Sequence, residues 1–305
     1  MKDTLIKGRI ESLDIAFQYA VTTDLANEAV LRHDCDPVAA HLLVRSLTAG
    51  LLAVAPAAQG ERINIRWSYH GSLSAIVVDA GQDGTVRGLI NPAQLGATET
   101  IDDLYGEGGE TRVVRSRGGK VLASGTIEPC FMDVVDDLAA FLCISDQVES
   151  SATVMVGFDA NVQRPVSLAR GILLQALPGA NLDRFQEIRS RLHVPEVRDV
   201  LADPAEHPEQ LDRILKELVG DDSKLGADWS TSAAIQPVFK CTCGPDKMDA
   251  AVRCLSYPDR MDIVQKKEPV KLRCHFCNEA YELTVEDCIR AWNQPQGSDK
   301  DASGA

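Results

Sequence analysis

The chain has 305 residues, a formal net charge of −14, 45% hydrophobic residues and 25% charged ones, which suits about two ordinary globular domains. That acidic balance argues against a general nucleic-acid binder, because phosphate contacts need clustered Lys and Arg. Residues Met1 to Arg9 hold no apolar stretch of the secretory kind, so the expected compartment is the reducing cytoplasm, where nine cysteines mean metal or redox chemistry rather than a disulfide framework.

In chain order, a helix is expected from about Asp24 to His33. Asp36 followed by Pro37 then starts a second one, N-cap and first helical residue, that runs to about Val54. The most apolar run, Ala39 to Ala57, is broken by His41 and Arg45 and reads as a buried helix rather than a membrane span. Ile63, Ile65 and Trp67 alternate with Asn64, Arg66 and Ser68, the period of a half-buried strand. Leu73 to Val78, Thr85 to Ile90, Thr111 to Arg115 and Val121 to Ile127 continue as short strands between Gly-rich turns. A helix follows over Asp133 to Leu142, then strands over Ala152 to Phe158 and Ser167 to Leu177. Brief turns between short strands predict a mostly antiparallel sheet. Gly106-Glu107-Gly108-Gly109 lacks the spacing of a phosphate-cradling loop and reads as a turn.

Residues 181–235 change character to short amphipathic pieces. Phe185, Ile188 and Leu192 share one face of the first; Val194 to Leu201 forms a second, stopped by Pro204; Leu211, Ile214, Leu215 and Leu218 line a third that ends at Gly220. Helices this short need a surface to pack on. Ser230 to Ala234 reads as a polar hinge. The fold class is thus α+β: a core domain over residues 1–180 with a mostly antiparallel sheet and helices, a helical linker over 181–235, a small zinc-binding domain over 236–293 and a disordered tail over 294–305.

The most specific pattern is Cys241-x-Cys243, thirty residues, then Cys274-x-x-Cys277. Four soft thiolates suit one tetrahedral Zn2+ per chain. The spacing matches none of the ferredoxin patterns, and the βαβ unit that would accompany a thioredoxin-like motif is missing. Zinc ribbons normally carry two Cys-x-x-Cys arms. Eight basic against five acidic residues between Lys240 and Arg273 are expected to favour thiolate over thiol. His275 lies inside the knuckle, but four sulfurs already saturate zinc. Cys288 is expected to be a buried hydrophobe on a helix opened by a capping box of Thr284 and Asp287. Cys254 is read as structural, with an alternative redox role open, and Cys35, Cys130 and Cys143 as buried or inert. On residues alone, an oxidation-sensitive switch and a permanently structural zinc both remain open. No Ser/His/Asp arrangement, metal-binding His pair or carboxylate couple marks an enzyme; His33, His41 and His70 are scattered. The runner-up reading is a zinc-ribbon nucleic-acid or translation-factor binding protein.

Phe239-Lys240-Cys241-Thr242-Cys243, Cys274-His275-Phe276-Cys277 and Tyr281 resemble the bacterial heat-shock protein 33 family, the redox-regulated cytoplasmic holdase chaperones. Val86-Arg87-Gly88, Tyr105-Gly106-Glu107-Gly108, Ser145-Asp146-Gln147, and Gly171 to Gln175 with Pro178 are similar to further motifs, and the resemblance runs from about residue 5 to 293. It implies a reduced, zinc-bound, inactive state without ATP. It also implies that oxidation joins Cys241 to Cys243 and Cys274 to Cys277, ejects zinc, unfolds the C-terminal unit and linker, and exposes apolar surface to unfolding clients while favouring a homodimer. Two departures stand out. Asn278 replaces the usual Gly after the knuckle, a position Asn tolerates in the left-handed conformation, and Arg170 stands before Gly171 in place of a small residue. Cys143, Cys254 and Cys288 offer alternative disulfide partners.

Overall fold

The computed structural model describes residues 2–96, 100–203, 209–220 and 228–293. The chain forms two compact units, Met1–Lys240 and Cys241–Ala305. The expected disordered tail lies outside the described residues, as do Pro204 and parts of the linker.

The first unit begins with two strands that the sequence reading left unassigned, β1 (Thr4–Ile10) and β2 (Ile15–Val21). They are joined through Asp14 in the left-handed conformation, φ 52°. Helices α1 (Thr23–His33) and α2 (Pro37–Val54) follow where expected. The Asp36 carboxylate accepts the Ala39 N–H at 2.8 Å and caps α2. Three strands, β3 (Glu61–Tyr69), β4 (Ala75–Gly81) and β5 (Thr85–Asn91), precede a short α3 (Ile101–Tyr105). Next come β6 (Gly109–Arg117), β7 (Lys120–Ile127), α4 (Val134–Ile144), β8 (Ser150–Phe158) and β9 (Val166–Ala176). Ile63, Ile65 and Trp67 are fully buried, as their alternation predicts.

Three linker helices follow, α5 (Leu182–Arg191), α6 (Pro195–Ala202) and α7 (Gln210–Val219), and two short strands, β10 (Trp229–Thr231) and β11 (Val238–Phe239), close the unit. One sheet runs β10-β1-β2-β9-β8 and the other β11-β5-β4-β3-β6-β7. All pairings are antiparallel except β11 with β5. Helix α2 packs against strands of both sheets. It is long and apolar enough to cross a membrane, but 78% of it is buried here, which is why its whole circumference is hydrophobic. Its Arg45 pairs with Asp133, the N-cap of α4, at 2.9 Å, tying the two helices together.

One expectation changes. Ser230 and Thr231, read as a hinge from their polarity, belong to β10, which pairs with β1 through Gly8↔Thr231 and Ile10↔Trp229. An exposed edge strand needs no apolar alternation, so its sequence carried no strand signal. The linker helices find the surface that helices so short need. Phe185, Ile188, Leu192, Val197, Leu201, Ile214, Leu215 and Leu218 are each 0% exposed, packed with Ile10, Ile15, Phe17, Tyr19, Val21, Ile172 and Leu174 of the first sheet. That sheet therefore buries both faces, one on α2 and the other under the linker. The helices also hold one another: Arg184 donates to the Val219 carbonyl at 2.9 Å, and the Trp229 indole donates to Asp212 at 2.9 Å.

The second unit contains α8 (Pro245–Arg253), α9 (Tyr257–Lys266), the hairpin β12 (Val270–Arg273) and β13 (Ala280–Leu283), and α10 (Val285–Asn293). Its core is small: Val252, Leu283, Cys288 and Ala291 are buried, with Met248, Leu255, Ile263, Val270, Leu272 and Trp292 packed around them.

Candidate metal centre

The β12–β13 hairpin builds one arm of the cysteine site. Its register, Arg273↔Ala280, brings the ends of the knuckle together. Within it the Cys274 N–H donates to the Glu279 carbonyl at 2.9 Å and the Asn278 N–H to the Cys274 carbonyl at 2.7 Å. Closing so tight a turn requires a positive φ, and Asn278 adopts 56°. The departure from Gly is thus accommodated. The other arm precedes Gly244, whose extended backbone suits the residue before a proline, and Pro245 starts α8.

The two arms meet. The sulfurs of Cys241, Cys243, Cys274 and Cys277 all lie within 4.8 Å of one another, with Cys241 to Cys274 at 3.7 Å and Cys243 to Cys277 at 3.3 Å. Thiolates about 2.3 Å from a tetrahedral zinc stand about 3.8 Å apart, so the donor set fits a metal ion of that kind. His275 is exposed and outside the cluster, Cys254 is exposed, and Cys288 is fully buried in the apolar core as expected. The capping box is present: Thr284 accepts the Asp287 N–H at 3.1 Å and Asp287 the Thr284 N–H at 3.0 Å.

The local excess of Lys and Arg does not by itself lower the Cys274 and Cys277 thiols. Burial pushes the Cys274 thiol up, against backbone hydrogen bonds from Phe276 and Cys277 that lower it. Burial likewise pushes Cys277 up, and its sulfur neighbours add to the rise. For Cys274 and Cys277 desolvation is the largest cause. A divalent cation reverses that balance for a coordinating thiol.

One contributor went unassigned in the sequence. Tyr281, on β13, donates its hydroxyl to the Cys243 sulfur at 3.1 Å. A hydrogen bond into a ligating sulfur orients it and tempers its charge, and loss of such a partner costs roughly 10–100-fold in metal affinity. Tyr281→Phe is expected to lower zinc affinity by about 10-fold in competition with a chromophoric chelator. Unchanged affinity would mean that the contact carries no weight.

A family model described as Hsp33 protein matches residues 3–284. The chain belongs to the Hsp33 family. It is similar to proteins named 33 kDa chaperonin from Trichodesmium erythraeum (31% identical, covering 94% of this chain and 92% of that one) and Gloeobacter violaceus (30%, covering 94% and 92%). Another, from Clostridium botulinum strain 657, is 28% identical and covers 94% and 96%. The fold is shared with the crystal structure of a heat shock protein 33 homologue from Thermotoga maritima, at TM-score 0.81 and 21% identity over 96% of this chain and 98% of that one.

Several Hsp33-like motifs prove to be packing devices. A Cβ on Gly171 would stand 2.9 Å from Val154 and 3.1 Å from Leu52, and one on Gly88 2.9 Å from Leu47, so both let α2 settle on its two sheets. Gly106, φ 68°, has the backbone of His70 and Gly71 where a Cβ would go. Asp146 pairs with Arg115 at 2.7 Å. Three further cysteines of this Hsp33 chain belong to the first unit: burial pushes the Cys35 thiol up to about 12 and raises Cys143. Cys130, expected buried or inert, is exposed.

Proposed function

We propose that this Hsp33 family chaperone is a redox-regulated, ATP-independent holdase, inactive while reduced and zinc-bound, that captures unfolding proteins under oxidative stress in the cytoplasm. The observation that carries the reading is the apolar sheet face of β1, β2 and β9 covered by three short helices. A holdase needs a large apolar surface that a resting protein keeps hidden, and short amphipathic helices are a removable cover because packing, not propensity, holds them.

In this reading residues 1–180 form the client-binding core, 181–235 the metastable cover and 236–293 the redox switch. When bound, Zn2+ would hold Cys241, Cys243, Cys274 and Cys277 as thiolates and tie the two arms together. Under oxidation Cys241 joins Cys243 and Cys274 joins Cys277. Each pair of thiolates gives two electrons to one hydrogen peroxide, which takes two protons from the surrounding water and leaves as two waters. The sulfurs are then spent as donors, the small unit loses its brace, and the linker follows. Exposed apolar surface then binds clients and favours a homodimer.

The test couples metal to activity. Protein purified under reduction is expected to carry one zinc per chain. Peroxide should release it on the same time course as suppression of client aggregation appears, with amide exchange between Phe185 and Trp229 rising in step. Zinc retained through full activation, or activity indifferent to oxidation, would leave a purely structural ion and sink the switch.

A further inference from the structure

The covered sheet face is not uniformly apolar. Strand alternation and the registers Val21↔Arg170, Tyr19↔Ile172 and Phe17↔Leu174 place Arg170 on the same face as Ile172, Leu174, Phe17, Tyr19 and Val21. Its side chain is 1% exposed, one of the largest fully buried side chains in the chain. The guanidinium reaches the C-terminal end of α6: Nη1 donates to the carbonyls of Leu201 and Asp203 at 3.0 Å each and of Val200 at 3.3 Å. These are the carbonyls a helix leaves without intrahelical partners, at the negative end of its dipole. Gln210 of α7 also donates to the Val200 carbonyl, and the Asp203 carboxylate turns to Arg213 at 3.3 Å. The cover thus answers a fixed positive charge with a helix C-terminus.

Uncovering the face removes that answer. Arginine stays charged, and loss of the Val200, Leu201 and Asp203 carbonyls favours a chain that supplies oxygen acceptors in their place, because covering a guanidinium with apolar groups is far costlier than an unmatched apolar contact. Resting on the holdase reading, we infer that Arg170 is a specificity-determining residue of the client surface, selecting amphipathic helical segments that end in a free carboxylate in place of the last turn of α6. Helix α6 itself is the template for such a partner. The whole-chain charge of −14 repels carboxylates, so a preference for them would run against the general field and report the local site.

The oxidised full-length protein would be titrated by fluorescence anisotropy with one amphipathic peptide in three forms: free C-terminal carboxylate, C-terminal amide, and amide with a single added N-terminal Glu. Wild type is expected to bind the free carboxylate about 10-fold more tightly than either amide form. Arg170→Met, which keeps length and apolar character, is expected to bind all three alike, and Arg170→Lys to keep part of the preference. The wild-type comparison needs no variant, so it stands if Arg170→Met misfolds. Oxidised wild type that suppresses client aggregation yet binds the three peptides equally overturns the role of Arg170 and leaves the holdase reading intact, as does an Arg170→Met protein that retains the preference. Oxidised protein that binds no peptide and suppresses no aggregation overturns the holdase reading, and this inference with it.

Discussion

Removing the metal is expected to unfold residues 241–293 while the two sheets of the first unit persist. The second unit buries Val252, Leu283, Cys288 and Ala291 with six partly covered neighbours, and a core of that size supplies at most about 3–5 kcal/mol. Structural zinc contributes roughly 10–16 kcal/mol to units of this kind, so a bound ion of that type would outweigh the core in deciding whether the unit is folded. Trp292 is a reporter built into the site's own unit, since its indole donates to the Val252 carbonyl at 2.9 Å and joins α10 to α8. A chelator at pH 7, or replacement of Cys274 and Cys277 together by Ser, should red-shift the Trp292 emission and collapse the amide dispersion of α8 and α10. Signals from β3, β4 and β6 should stay in place. A well-dispersed spectrum for residues 241–293 in chelator would show that the apolar core suffices and would remove the physical basis of the switch.

What was legible in the sequence was local or strongly patterned. Asp36-Pro37 announced α2, the Ile63 to Ser68 alternation announced β3, and two cysteine arms announced the sulfur cluster, because each depends on neighbours within a few residues. What was missed depends on distant partners. In β2, Ile15 to Val21 is an almost unbroken apolar stretch because both faces are covered, so it lacks period-2 contrast. In β1, Lys7, Gly8 and Arg9 are only half-buried. Phe17 is packed over Gly8, which explains a glycine inside a strand, but only once the pairing is known. Asp36 shows both sides at once. Its cap was readable, whereas its bonds to the amides of Leu95 and Gly96, 2.6 Å each, needed the fold. At the cysteine site the meeting of the four sulfurs was readable from spacing. The protonation of its sulfurs was not, because desolvation rather than the count of nearby lysines sets it. Tyr281 and Arg170 were visible as residues, yet the hydrogen bonds that give them meaning cross 38 and 30–33 positions of chain.

Placing a charge under the cover should activate the protein without oxidant. Leu215 is 0% exposed on the face of α7 that meets the sheet, in one cluster with Phe17, Tyr19, Ile172 and Leu174. An aspartate there must be buried without a partner or leave for water, and the first option costs several kcal/mol. The linker helices have little of their own to set against that, because helices of 8 to 10 residues are marginal in isolation. The carboxylate would therefore drag α7 from the sheet, and the carbonyls that α6 offers to Arg170 would go with it. Leu215→Asp, fully reduced and zinc-loaded, is expected to suppress aggregation of an unfolding client to a level near that of the oxidised wild type. Amide exchange across residues 182–219 should rise while the zinc content stays at one per chain. Lys216→Glu, one position along on the exposed side of the same helix, should change neither. A Leu215→Asp protein that is soluble, has lost linker protection and still leaves its client to aggregate would break the link between the cover and activity. The cysteine site would then have to act through a surface other than the face of β1, β2 and β9.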